Sequence, residues 1–358
     1  MSSSSSSSSQ AGKADGCAGC PSQKACASGA GKGEDPAVGM VSDKLADVKH
    51  KILVLSGKGG VGKSTVATQM ALTLASQGRS VGLLDVDICG PSVPRMMGLT
   101  EAEVMQSGNG WTPILAESLP DDCDGELLVM SVGFMLPNAD DAVIWRGPRK
   151  NGLIKQFLTD VDWGTLDYLI VDTPPGTSDE HLSIVQYLRG AGIDGAVIVS
   201  TPQEVCMADV RKEINFCKKT KVEVLGVVEN MAGYRASVTD TTLKFFDPDS
   251  GEDVTVQTRQ ALAAKAPEVL RLLVQADVYP KFGAGPEGMA EASGVPYLGK
   301  LPMDTNLTMS TEHGQPFAHA YPESPAAAPF LDVVRRVEEN VKKNAAESVS
   351  QAGTMNDD

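Results

Sequence analysis

Short apolar runs recur along the middle of this chain, and most are followed by longer stretches with apolar residues three or four positions apart. The first run is Lys51-Ile-Leu-Val-Leu55, and further ones fall at 81–86, 127–132, 168–171, 196–200, 224–228 and 297–301. Unbroken apolar runs of this length suit strands buried on both faces of a parallel sheet. Between them, helical spacing appears at 66–76, 151–158, 181–188, 205–218 and 329–344. In the last, Phe330, Val333, Val334, Val337 and Val341 form one stripe. The alternation predicts an α/β fold, a mostly parallel twisted sheet with helices on both faces.

The ends read differently. Residues 1–48 are rich in Ser, Gly and Ala and read as a flexible arm with too little apolar surface to offset its ordering entropy. A folded domain over 49–345 and a disordered tail over 346–358 follow. Within the domain, 235–282 reads as an insert with a helix over 258–276 interrupted at Pro267. A length of 358 residues suggests two or three domains, yet the pattern runs through one.

Charge narrows the partners. The formal net charge is −15, with a pI near 4.7. That opposes binding to nucleic acid or anionic membrane by bulk charge, so neither is expected as a partner. The opening serine run lacks the basic and apolar regions of a signal peptide, and no apolar stretch is long enough to span a bilayer. The expected location is cytoplasmic, where thiols stay reduced and paired cysteines point to metal or redox chemistry.

After the first strand comes Gly57-Lys-Gly-Gly-Val-Gly-Lys-Ser-Thr65, which satisfies G-x-x-x-x-G-K-[ST]. Such a loop (Gly57, Lys58, Gly59, Gly60, Val61, Gly62, Lys63, Ser64, Thr65) turns successive N–H groups toward phosphate oxygens, and the next helix adds its positive N-terminus. Lys63 is placed to reach the β- and γ-phosphates of ATP, and Ser64 to ligate Mg²⁺. Two aspartates end later strands. Leu84-Asp85-Val86-Asp87 closes the second, and Leu169-Ile-Val-Asp172 closes another just before Thr173-Pro-Pro-Gly176. Carboxylates at the carboxyl ends of parallel strands face the ligand crevice.

The loop's second lysine, Lys58, makes G-K-G-G-V-G-K-S-T resemble the deviant P-loop of the MinD/ParA/nitrogenase-iron-protein class, the MinD-type (SIMIBI) P-loop NTPases. The resemblance implies an ATP-dependent homodimer with Lys58 reaching the partner's nucleotide. It also implies that Asp87 orients the attacking water and that Asp172 holds Mg²⁺ through water. Asn230, Pro302 and Asp304 resemble the class's adenine-recognition segments.

Wider motifs narrow the family. Asp87-Ile-Cys-Gly-Pro-Ser92, Trp145-Arg-Gly-Pro-Arg-Lys-Asn151 and Asp172-Thr-Pro-Pro-Gly-Thr-Ser-Asp-Glu-His181 resemble the Mrp/NUBP branch, as do Thr201-Pro-Gln203 and Gly226-Val-Val-Glu-Asn230. These are iron–sulfur scaffold and carrier ATPases. The N-terminal cysteines resemble the eukaryotic cytosolic Nbp/NUBP scaffold, in its green-lineage form. The function so implied is an ATPase of slow intrinsic hydrolysis that assembles a [4Fe–4S] cluster. It would hand the cluster to cytosolic or nuclear apoproteins alongside other assembly factors.

Cys17-x₂-Cys20-x₅-Cys26 supplies three close thiols. By spacing alone they fit a cluster, zinc or chance; the resemblance favours the cluster. The chain departs from the family twice. Where a fourth arm cysteine is usual it has Ser3. Where a C-x-x-C usually follows the Asn-Met-x-Gly segment, Asn230-Met-Ala-Gly-Tyr234 leads into Arg235-Ala-Ser-Val238. Cys206 and Cys217 share one face of a predicted helix but sit about 16 Å apart along it, which points to core packing rather than a shared cluster. Cys89 and Cys123 read as packing residues and His181 as structural. Two other functions fit less well. A MinD/ParA positioning ATPase fits poorly with the charge and the polar, acidic end. An electron-transfer ATPase would need a cysteine between Cys123 and Cys206, and none is there.

Overall fold

A computed structural model describes residues 35–88, 90–135, 147–280 and 283–354. The arm cysteines Cys17, Cys20 and Cys26, with Ser3, Cys89, Trp145 and Arg146, lie outside the described residues.

The folded chain begins earlier than expected, with α1 (Pro36–Lys44) ahead of β1 (Val48–Leu55). Asp35 caps α1 by accepting from the Ala37 amide at 2.9 Å, and Pro36 sits where its missing N–H is harmless. Ala37, Val38, Val41 and Leu45 are buried along one side. The Asp35 carboxylate also accepts from Lys155 and Tyr187, which lie on two neighbouring helices. The boundary expected at residue 49 is thus corrected: packed chain lies ahead of it, in α1. A stripe this short is hidden by the Ser/Gly/Ala-rich segment before it.

Then come α2 (Lys63–Ser76), β2 (Ser80–Asp85), α3 (Val93–Met96), β3 (Met105–Ser107), β4 (Gly110–Thr112), β5 (Ile114–Leu115) and β6 (Glu126–Ser131). Next are α4 (Gly147–Asp160), β7 (Leu166–Asp172), α5 (Asp179–Leu188), β8 (Gly195–Ser200), α6 (Glu204–Thr220) and β9 (Val224–Glu229). The chain closes with β10 (Tyr234–Ser237), α7 (Thr255–Lys265), β11 (Leu273–Ala276), α8 (Gly285–Ser293), β12 (Tyr297–Lys300), α9 (Thr305–His313), α10 (Phe317–Ala320) and α11 (Ala327–Thr354).

The main sheet runs β12-β9-β8-β1-β7-β2-β6-β5. Its strands are parallel except β5, which pairs antiparallel with β6 at the edge. Each of the seven predicted strand segments is a strand of this sheet. Alternation divides the core between the two faces. Ile52 and Val54 pack with α2 and the α11 stripe, whereas Leu53 and Leu55 pack with residues of α1, α4, α5 and α6. The whole predicted stripe of α11 is buried.

Two further expectations are corrected. The tail expected to be disordered from 346 continues α11 to Thr354. Once a docked stripe has nucleated a helix, each added residue needs little more, and Lys343 pairs with Glu347 one turn on. In the insert, only 255–265 is α-helix. Pro267 opens a 3₁₀ turn, and Leu273–Ala276 becomes a strand paired antiparallel with β10.

Helix α6 holds an isolated buried acid. Glu213 has no exposed surface, and neither carboxylate oxygen has a hydrogen-bond partner among the described residues. Burial, with the charge of Asp209 one turn away, pushes its pKa from 4.5 up to about 7. The folded protein therefore holds this proton more tightly than the unfolded chain. That contribution is intact below the unfolded value and is lost as pH rises through about 7. Glu213→Gln removes the penalty. Its stability advantage over wild type is expected to be near zero at acidic pH and to grow to at most about 3 kcal/mol at alkaline pH. Denaturant titrations at the two extremes check this, and an advantage that does not grow with pH would contradict it.

Candidate functional site

The sheet's parallel strands bring three chemistry-bearing segments to one edge. The loop from Gly57 to Gly62 leaves the carboxyl end of β1 and enters α2. Asp85 and Asp172 end β2 and β7, and the two lie opposite each other in the strand register. Together with Asp87, Ser92, Met96 and Pro175 the loop lines a cavity of about 240 Å³, to which Lys58, Gly59, Gly60, Gly62, Lys63, Ser64 and Thr65 all contribute.

Glycine is required in two ways. Gly60 and Gly62 have φ of 78° and 84°, the left-handed region. At Gly57 a Cβ would lie 2.6 Å from the Asp209 Cβ, so the loop seats directly on α6. The Asn230 side-chain amide donates to the Val61 carbonyl at 2.9 Å and holds the loop from the other side.

The charges inside are tightly arranged. Lys63, 6% exposed, puts its Nζ 2.6 Å from Asp172 Oδ1 and also donates to the Ser64 hydroxyl at 3.2 Å. Asp172 is fully buried, and its Oδ2 has no hydrogen-bond partner among the described residues. Asp85 accepts from the Ser131 hydroxyl at 2.8 Å and from the Asp87 amide at 3.0 Å. Burial and the neighbouring Asp172 push the Asp85 carboxyl above the usual carboxylate range. A partnerless carboxylate oxygen on Asp172, with Lys63 bridging Asp172 and the Ser64 hydroxyl at the start of α2, fits a Mg²⁺–nucleotide.

Lys58 lies 2.8 Å from Asp209 Oδ2 on α6 of the same chain, with 40% of its side chain exposed. Asp209 holds the Lys58 ammonium above its ordinary pKa. The Thr173–Gly176 segment is fastened to β1: the Thr173 hydroxyl donates to the Val54 carbonyl at 2.8 Å, and the Gly176 amide donates to the Ser56 carbonyl at 2.7 Å. That amide is already engaged, so turning it toward a γ-phosphate exchanges a bond of about 1 kcal/mol. Behind the segment, His181 is 1% exposed and caps α5 with Ser178. Burial lowers its pKa to about 4, so it is neutral and structural.

Not every predicted residue comes to the cradle. Pro302 lines a separate cavity with Tyr234 and Arg235. Asp304 caps α9 by accepting from the Asn306 amide, and it also accepts from Ser324 and Ala326. Cys206 and Cys217 are buried in the core side of α6. Cys123 donates to the Ala75 carbonyl at 3.1 Å. Among the described residues no group of three His, Cys, Asp or Glu side chains is placed to hold a metal. Asp85 is a site residue that the motif, which singles out Asp87, does not mark. The available signal was its position as the last residue of an apolar strand, in register with Asp172.

A family model described as ParA: NUBPL iron-transfer P-loop NTPase matches residues 47–283. The nucleotide-binding protein of Archaeoglobus fulgidus, solved in complex with ADP, is 33% identical. The match covers 79% of this chain and 93% of that one, with a TM-score of 0.57. The septum site-determining protein MinD of Pyrococcus horikoshii, complexed with Mg-ADP, is 20% identical over 83% of this chain and 99% of that one, with a TM-score of 0.50. A chain of the MinC:MinD cell division protein complex of Aquifex aeolicus is 18% identical over 81% and 96%, also at 0.50. These last two are similar in fold alone. The buried lysine–carboxylate cradle on a parallel sheet and the match over most of the chain agree: this protein belongs to the ParA-type family of NUBPL iron-transfer P-loop NTPases.

Proposed function

We propose that this NTPase hydrolyses ATP and serves as a cytoplasmic scaffold that assembles a [4Fe–4S] cluster and transfers it to apoproteins. The observation that carries the reading is the pairing of a two-lysine phosphate loop with Cys17-x₂-Cys20-x₅-Cys26 on one chain. The cluster is cargo, and its ligands belong to the arm rather than to the folded sheet.

The nucleotide steps follow from the cradle. Lys63 exchanges Asp172 for the β- and γ-phosphates; Ser64, and Asp172 through water, would hold Mg²⁺. Mg²⁺ supplies charge neutralisation at the phosphates. Asp87 orients the attacking water. Lys58 leaves Asp209 and reaches the nucleotide of a second copy, so each active site is completed in a homodimer. Positioning and charge carry this chemistry, which suits slow intrinsic turnover. Asn230 and the Pro302–Asp304 segment flank the adenine end. Among the described residues no helix is long and apolar enough to cross a membrane.

The positioning-ATPase reading shares this fold, and fold does not select between them. The arm thiols do. Anaerobic reconstitution with iron and sulfide tests the reading: wild type is expected to retain iron that the paired Cys17→Ala and Cys20→Ala substitutions lose. Iron at background in wild type would remove it.

A further inference from the structure

The arm and the folded domain meet at α1. Asp35, the first described residue, takes the Lys155 ammonium of α4 at 3.0 Å and accepts from the Tyr187 hydroxyl of α5 at 3.4 Å. At the other end of α1, Lys44 pairs with Asp162, just past the end of α4, at 3.4 Å. Ser42 donates to the Gly190 carbonyl, just past the end of α5, at 3.0 Å. Helix α1 therefore runs antiparallel to both neighbours. Its start, where the arm joins, points toward the beginnings of α4 and α5. Buried Val38 and Val41 hold that direction by packing.

The face it points along differs from the rest of the chain. Acids outnumber bases 46 to 31 overall, yet α4 carries Arg149, Lys150 and Lys155 and no acid before Asp160. Arg149, Gly152 and Gln156 are exposed, and their spacing of three and four residues makes them one outward stripe. Lys155 flanks it with 40% of its side chain exposed. The stripe is open at Gly152, where a Cβ would meet no atom within 4 Å. Lys150 pairs with Glu180 at 3.2 Å and ties this end of α4 to the first turn of α5, directly after the Thr173–Gly176 segment.

We propose that the arm docks its cysteine segment, with the cluster aboard, on this stripe of α4 between Lys155 and Arg149. Reach and charge favour the arm as the occupant. Cys26 lies nine positions before Asp35, a span of at most about 30 Å. Arg149 lies only about 9 Å along α4 from Lys155, where the arm is rooted. A [4Fe–4S] cluster on cysteine thiolates is net negative, and this is the cationic stretch beside the root. Residues 1–34 without a cluster carry three lysines against Asp15 and Glu34, so the bare arm has no electrostatic reason to settle there. The seat therefore depends on the cargo. The inference rests on the scaffold reading above and specifies where on the fold its cargo is held.

Photo-cross-linking of the full chain, reconstituted anaerobically with iron and sulfide, tests it. Benzoylphenylalanine placed at Gln156 is expected to join residues 1–34 in loaded protein, mapped by mass spectrometry, and to lose that product in protein never given iron. The same group at Val256, exposed on α7, is expected to give no such product. Arg149→Glu is expected to lose the product from 156 while still retaining iron and binding ADP, and Arg149→Lys to keep it. Iron retained with no more product from 156 than from 256 overturns the seat and leaves the scaffold reading standing. So does a product of equal yield with and without iron, or one that Arg149→Glu leaves untouched. Iron at background in wild type overturns the scaffold reading, and the seat with it.

Discussion

Replacing Lys63 with alanine is expected to abolish nucleotide binding and also to destabilise the nucleotide-free protein by about 3–5 kcal/mol. The second effect is the less obvious one. Lys63 is buried and pairs with a fully buried Asp172, while the fully buried Asp85 sits in register beside it. Removing the ammonium leaves two buried carboxyl groups with no compensating cation. Lys63 now holds the Asp85 carboxyl down against burial and the field of Asp172. Without it Asp85 keeps its proton to higher pH, so the loss of stability is expected to deepen as pH rises. Calorimetric titration with ADP and denaturant melts at two pH values check both parts. A variant that loses nucleotide but melts like wild type would show that the buried pair contributes nothing to the resting fold.

Lys58→Ala is expected to do the opposite. Nucleotide affinity should change little, because Lys58 points to Asp209 in the resting chain. Stability should also change little, since a solvent-screened surface ion pair contributes little. Hydrolysis is expected to fall by about 10²–10³-fold, the loss typical when one positioned donor to a transition state is removed. A phosphate-release assay beside a fluorescent-nucleotide binding assay separates the two quantities. Wild-type turnover in Lys58→Ala would end the trans-lysine account.

The contrast between these lysines marks how far the sequence could be read. Its motif put both in one loop, and the apolar runs put that loop at the end of a buried strand. Both inferences came from local pattern and chain order. What the pattern did not hold was tertiary partnership. Lys58 meets an aspartate far along the chain, and Asp85 gains importance only through its register with Asp172. The same limit explains α1, whose three buried side chains make sense only against α4 and α5. It explains β11, which reads as helix until β10 is beside it. Asp304 shows the same limit: its motif position is legible in the chain, but its capping of α9 is not.

The central claim joins the cradle to the arm: one chain binds ATP and holds a transferable cluster on Cys17, Cys20 and Cys26. Mössbauer spectroscopy of the anaerobically reconstituted full chain, wild type against the paired Cys17→Ala and Cys20→Ala variant, tests it most directly. The account predicts a [4Fe–4S] signal in wild type that the variant lacks while still binding ADP. A wild type without cluster signal, or a variant that keeps it, would contradict the account.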